Sequence, residues 1–96
     1  MEGTINEALS IAGIIGAATA LHFTDITRAN EIERVTKMRD RLVDDIVAAL
    51  PDVLETVPRE HRVPGVAHLC IKGIESEALL FLLDQADVCA SAASAC

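Results

Sequence analysis

The chain has 96 residues, of which 51% are apolar, a composition typical of one small globular domain rather than a disordered tail. Eight basic residues against fifteen acidic ones give a net charge of −7, which would repel a phosphate backbone. With no Trp or Tyr to stack on bases, the composition predicts no nucleic-acid partner.

The first predicted element is a helix that begins at Asn6, a good N-cap residue, with Glu7 against the positive end of the helix dipole. Its apolar residues are spread around most of the helix circumference, so other protein surface should cover the helix on nearly all sides. This predicts self-association. The weakly polar stretch, 8–23, is shorter than a membrane span, so we expect no membrane contact.

A second helix is predicted from a cap at Thr24 or Asp25 to a stop at Pro51. Apolar residues at helical spacing form its predicted buried stripe: Ile32, Val35, Met38, Leu42, Ile46 and Ala49. Mixed charges form the opposite, solvated face: Arg28, Glu31, Arg34, Lys37, Arg39, Arg41, Asp44 and Asp45.

The rest of the chain predicts three strands, over 52–57, 66–71 and 86–89, and a helix over 75–83. This order predicts an α+β fold: a two-layer domain with a short, mainly antiparallel sheet packed against helices. We expect a single domain, 1–96, helical over 6–50 and sheet plus helix over 52–89. A loop of small residues begins at residue 90 and carries Cys96.

The three cysteines are odd in number and form no CxxC or zinc-ligand spacing, so we expect reduced thiols and no metal site. Cys70 and Cys89 stand in apolar strand patterns, which predicts packing roles. His68, on the best strand, is expected to be a hydrogen-bonded residue rather than a base. Reduced thiols and the absence of a basic, apolar leader favour a cytoplasmic location.

Five segments follow, in order, the pattern of one enzyme family: Glu-Gly-Thr-Ile-Asn at 2–6, the apolar run at 11–18, Arg-Val-Pro-Gly at 62–65, Gly-Ile-Glu-Ser-Glu-Ala-Leu-Leu at 73–80, and Ser-Ala-Ala-Ser-Ala-Cys at 91–96. Together they resemble the cysteine desulfurases, pyridoxal-phosphate enzymes of the class V aminotransferase family. The resemblance covers essentially the whole chain but only part of such an enzyme, and it implies the C-terminal small domain of a fold-type I enzyme.

The resemblance implies that the full enzyme is a dimeric transferase that removes sulfur from L-cysteine. The products would be alanine and a persulfide for iron-sulfur cluster or thio-cofactor synthesis. By the same resemblance Cys96 is the nucleophile that takes the sulfur and passes it to an acceptor protein. Thr4 matches a position whose hydroxyl contacts the cofactor phosphate in the neighbouring subunit.

Two departures bear on activity. The family's Schiff-base lysine precedes this segment, and neither Lys37, on a solvated face, nor Lys72, in a turn, replaces it. Ala92 and Ala93 stand where the family has Ser-Gly, which stiffens the loop. We therefore expect an inactive segment of a desulfurase that holds no pyridoxal phosphate without its missing large domain. The alternatives are a stand-alone binding or sulfur-relay module and, less in keeping with the lysines, a free-standing enzyme.

Overall fold

A computed structural model of the chain describes residues 1–92. Its elements are helix α1 (Glu2–Ala49), strand β1 (Val53–Glu55), a single 3-10 turn (Arg59–His61), strand β2 (Leu69–Ile71) and helix α2 (Ser76–Gln85). Two helices with a short antiparallel sheet confirm the predicted α+β class. By its contacts the chain divides into two units, residues 1–35 and a second unit from Thr36 on.

Helix α1 is one continuous helix of 48 residues, so the prediction of two helices with a break near Thr24 was wrong. The physical reason lies in the threonine hydroxyls. Thr24 Oγ1 donates to the carbonyl of Ala20 at 2.8 Å, and Thr27 Oγ1 donates to Phe23 at 2.8 Å. Hydroxyls bonded to the preceding turn cannot cap a new helix, and no Gly or Pro interrupts residues 17–49.

In the first unit almost every side chain is exposed, including its large apolar ones. Helix α1 contains an 18-residue window with a mean hydropathy of 1.4, none of it buried. By length and composition alone this helix could cross a membrane. The core helix of a soluble protein and an N-terminal signal sequence can have the same length and composition.

The inward face of the second half of α1 differs from the predicted stripe. Val43 is 1% exposed and Arg39 is 8% exposed, with Val35 and Ile46 half-buried beside them. Their spacing of three and four residues is helical, as predicted, but the face is rotated. The remaining members of the predicted stripe are exposed: Ile32, Met38, Leu42 and Ala49.

Strands β1 and β2 pair antiparallel in the register Val53 to Ile71, Leu54 to Cys70 and Glu55 to Leu69. The pairing continues one residue further, because the Thr56 N–H donates to the His68 carbonyl at 3.3 Å. Both strands are shorter than predicted. β2 cannot start at residue 66, since the Val66 N–H closes a turn onto the Val63 carbonyl at 3.3 Å.

Helix α2 matches its prediction within two residues at each end, but the strand predicted over 86–89 is absent from the described residues. Asp87 adopts a left-handed backbone with φ of 59°. The Val88 N–H then donates to the Leu83 carbonyl at 2.8 Å, which satisfies the end of α2. The apolar residues of this segment therefore serve a helix C-cap instead of a strand.

Truncating Val43 should cost about 2 kcal/mol of unfolding free energy, because Val43→Ala leaves a void at the most buried side chain. Val47→Ala is the matched control one turn later, where the side chain is 43% exposed. There the substitution should be neutral or slightly stabilising, since alanine is the better helix former. Urea unfolding followed by circular dichroism measures both; equal midpoints for the two variants would contradict this placement of the core.

Candidate functional site

A loop between β1 and β2 is held against α1 by the buried guanidinium of Arg39. Arg39 Nη1 donates to the carbonyl oxygens of Val63 at 2.9 Å and Pro64 at 3.4 Å. Its Nε and Nη2 donate to Asp40 Oδ1 at 3.1 and 2.9 Å. Arg39 was predicted to lie on the solvated face, and that prediction was wrong: its donors satisfy two loop carbonyls and a carboxylate at once.

A second arginine ties the 3-10 turn to the same helix. Arg59 Nη2 donates to Asp44, and Arg59 Nη1 lies 3.9 Å from Asp40 Oδ2. The hydrogen bond from Arg39 holds the pKa of Asp40 below its ordinary value, and the nearby positive charges of Arg39 and Arg59 act in the same direction. The bond to Asp44 correspondingly raises the pKa of Arg59. Both shifts favour the charged forms of Asp40 and Arg59.

Asp40 should contribute to acid sensitivity. A carboxylate whose pKa is lowered on folding adds stability above its unfolded pKa, and this stability is lost as the pH falls through the lowered value. We expect Asp40→Asn to lose less stability than the parent chain between pH 7 and pH 3. Urea midpoints at pH 7 and pH 3 measure the loss of stability in each chain. If the parent chain and the Asp40→Asn variant lose the same amount, the ionisation of Asp40 is not coupled to folding. Asp45→Asn, whose carboxylate lies 3.8 Å from Arg41 on an exposed face, is the control.

Arg62 forms the most buried ion pair of this region. Its side chain is 4% exposed and contacts the carboxylate of Glu55 at the end of β1. The Nε and Nη2 atoms of Arg62 have no hydrogen-bond partner among the described residues. The sequence alone gave no sign of burial at Arg39 or Arg62, beyond the helical spacing of Arg39 between Val35 and Val43.

Beside this ion pair lies a shallow pocket of about 130 Å³. Its lining is mostly apolar and consists of Val57, His61, Arg62, Val63, Val66 and His68. His68 Nδ1 pairs with the Thr56 hydroxyl across the two strands, which agrees with the predicted hydrogen-bonded role. Cofactor and substrate pockets have volumes of roughly 300 Å³ or more, so this pocket admits only a small group.

The predicted site residues are not brought together in the described part of the chain. Thr4 is exposed in the first turn of α1, and Cys96 lies outside the described residues. Cys70 and Cys89 are exposed free thiols, so the prediction that they pack in the core was wrong. For Cys70 the reason is strand alternation, since Leu69 and Ile71 on either side of it are half-buried. No group of three metal-ligating side chains occurs within residues 1–92.

Comparison with known proteins identifies the family of the chain. The sequence profile of the family "Aminotransferase class-V" matches residues 2–96. The chain belongs to the class-V aminotransferase family. It is 36% identical to a cysteine desulfurase of Klebsiella pneumoniae over 91% of this chain and 22% of the relative. It is 35% identical to the cysteine desulfurase NifS of Azotobacter vinelandii, over 98% of this chain and 22% of the relative.

A third relative, the cysteine desulfurase IscS of Dictyoglomus turgidum, is 33% identical over 91% of this chain and 22% of its own length. The chain thus spans about a fifth of the length of the curated relatives it matches. No solved structure gives a significant match. The resemblance identified from the five segments is confirmed at the level of the family, and the relatives are cysteine desulfurases.

Proposed function

We propose that this chain is the small-domain segment of a cysteine desulfurase and that Cys96 carries its sulfur. The observation that supports this most is the match over nearly the whole chain to three cysteine desulfurases, each of which is several times longer. In the proposed reaction, the Cys96 thiolate attacks the sulfur of L-cysteine and the carbon-sulfur bond breaks. The carbon gains a proton to give alanine, and Cys96 becomes a persulfide, so atoms and electrons balance.

Pyridoxal phosphate does not fit the described residues on their own. The pocket beside the Arg62–Glu55 pair is about 130 Å³, mostly apolar, and has no lysine in its lining. Lys37 lies on α1 and Lys72 in the turn after β2, both exposed. We therefore propose that the cofactor is held by the part of the enzyme outside this segment, with only Thr4 contributing from this chain.

A chimera tests the proposed function. In it, this chain replaces the matching segment of the Klebsiella pneumoniae desulfurase. We expect the chimera to form alanine from L-cysteine, and we expect the isolated 96-residue chain neither to form alanine nor to give the visible absorption of bound pyridoxal phosphate. A chimera that folds and holds the cofactor, yet forms no more alanine than the same enzyme with the segment deleted, would overturn the proposal.

We also propose that the isolated chain self-associates and that the complete enzyme is a homodimer. Self-association of the isolated chain is supported by the first unit, where side chains such as Leu9 and Leu21 are 66% and 71% exposed. The homodimer is supported by the resemblance to the cysteine desulfurases alone. Burying apolar surface stabilises by about 25 cal/mol per Å², so pairing of two such helices is favourable. Analytical sedimentation at high micromolar concentration should show dimers or larger species. A monomer at every concentration would contradict this prediction.

A further inference from the structure

The guanidinium of Arg62 has hydrogen-bond donors that the described part of the chain does not satisfy. Its side chain is only 4% exposed, and it contacts the carboxylate of Glu55. The Nε and Nη2 atoms have no hydrogen-bond partner among residues 1–92. A buried donor without an acceptor has lost the hydration that it had in the unfolded chain, so an acceptor bound at this edge of the guanidinium is favourable.

Two other arginines show what this edge of a guanidinium holds in the same molecule. The Nε and Nη2 donors point in the same direction and match the acceptor geometry of a carboxylate. In Arg34 they donate to Glu31 Oε1 at 3.1 Å and Oε2 at 2.7 Å. In Arg39 they donate to Asp40 Oδ1 at 3.1 and 2.9 Å. The same edge of Arg62 is suited to a carboxylate that residues 1–92 do not supply.

The surroundings of Arg62 decide which carboxylate fits. Arg62 lines the pocket of about 130 Å³ together with three valines and two histidines: Val57, His61, Val63, Val66 and His68. The valines suit a short hydrocarbon chain next to the guanidinium. The described lining contains no Asp or Glu, and the Glu55 carboxylate is already engaged by Arg62. An ammonium group in the pocket would therefore have no counter-charge.

We propose that the pocket lined by Arg62 binds a short aliphatic carboxylate of about two to four carbons. The carboxylate accepts from Arg62 Nε and Nη2, and its hydrocarbon chain contacts the valines. Arg62 then lies between two carboxylates, as Arg59 does between Asp40 and Asp44. The inference is independent of the proposed function, because every residue it uses lies in this chain.

Titration of the 96-residue chain with propionate tests the site. Proton–nitrogen correlation spectra follow the Nε–H resonances of the arginines, and Arg34 is the internal control because its Nε already donates to Glu31. We expect the Arg62 resonance to shift and saturate with a Kd on the order of 1–10 mM, while the Arg34 resonance stays in place. Propionamide lacks the charge and L-alanine adds an ammonium group, so each should bind roughly tenfold more weakly or less.

Two substitutions change the charge beside the pocket in opposite directions. Arg62→Gln removes the guanidinium and should weaken propionate binding roughly tenfold or more. Glu55→Gln keeps the guanidinium but removes its counter-charge, so propionate should bind about threefold more tightly or better. A purely structural role of Arg62 predicts no such gain. Glu60→Gln, at an exposed position in the 3-10 turn, is the matched control and should stay within about twofold.

The absence of a saturable Arg62 shift up to about 100 mM propionate would mean that water alone satisfies these donors, and would overturn the proposal. Equal binding of propionamide would show that the charge is not recognised, and equal binding of inorganic phosphate would show a general oxyanion site; either result overturns the proposed ligand class. Unchanged binding in Glu55→Gln would also contradict it. If Arg62→Gln does not fold, the comparison of propionate with propionamide in the parent chain decides.

Discussion

Replacing Cys96 by serine in the chimera is expected to lower alanine formation from L-cysteine at least a hundredfold, while cofactor absorption stays unchanged. A serine hydroxyl is a poor nucleophile towards sulfur, and no persulfide forms on oxygen. The loss should appear in kcat and kcat/KM alike, because the thiolate acts in the transition state and binds no substrate beforehand. Steady-state alanine assays measure it directly.

Cys70→Ser and Cys89→Ser are matched controls in the same chimera. Both thiols are exposed in the described structure, and neither lies in a segment that resembles the family's cysteine loop. Each should keep activity within about twofold, as expected for exposed substitutions that remove no contact. If either variant lost alanine formation a hundredfold while Cys96→Ser stayed active, the nucleophile would be that other cysteine, which would contradict our assignment.

Removing the Arg39 guanidinium is expected to cost about 3 kcal/mol of local stability. Arg39→Met keeps the aliphatic stem but leaves the Val63 and Pro64 carbonyls and the Asp40 carboxylate without their donor. The loop between the strands should then open more often, and the amides of Thr56 and Lys72, which bond across β1 and β2, should exchange roughly a hundredfold faster.

Arg41→Met is the matched control for Arg39, two residues along the same helix. Its guanidinium is 3.8 Å from Asp45 on an exposed surface, where ion pairs contribute less than about 1 kcal/mol. Amide exchange of Thr56 and Lys72 should be unaffected. If the Arg39 and Arg41 variants exchange equally fast, the loop is not anchored by Arg39.

Local patterns predicted the second half of the chain best. Helix α2 has apolar residues at helical spacing, and β1 and β2 lie on either side of a Pro-Gly turn, so their existence follows from the sequence. The predicted ends of the strands and the predicted break in α1 were wrong at positions where a side chain had two possible hydrogen-bond partners. The Thr24 hydroxyl could cap a helix or bond to Ala20, and only the continuous backbone shows that it does the latter.

The site was predictable only in part. A charged residue in a run of mixed charges is predicted to be solvated. Arg39 is nevertheless buried, because it donates to carbonyl oxygens that are distant in the sequence. No local sequence pattern indicates such a contact. Cys70 and Cys89 were predicted to be core residues because their sequence neighbours are apolar. The described sheet has only two strands, and both thiols are exposed. Thr4 and Cys96 were assigned by family resemblance alone.

The position of the persulfide tests the central claim most directly. The chimera is treated with L-cysteine in the absence of a sulfur acceptor, alkylated, digested and mapped by mass spectrometry. We predict one added sulfur atom on the peptide that contains Cys96 and none on those that contain Cys70 or Cys89. An active chimera whose added sulfur lies on any other cysteine, or on none, would contradict the assignment of Cys96 as the sulfur carrier.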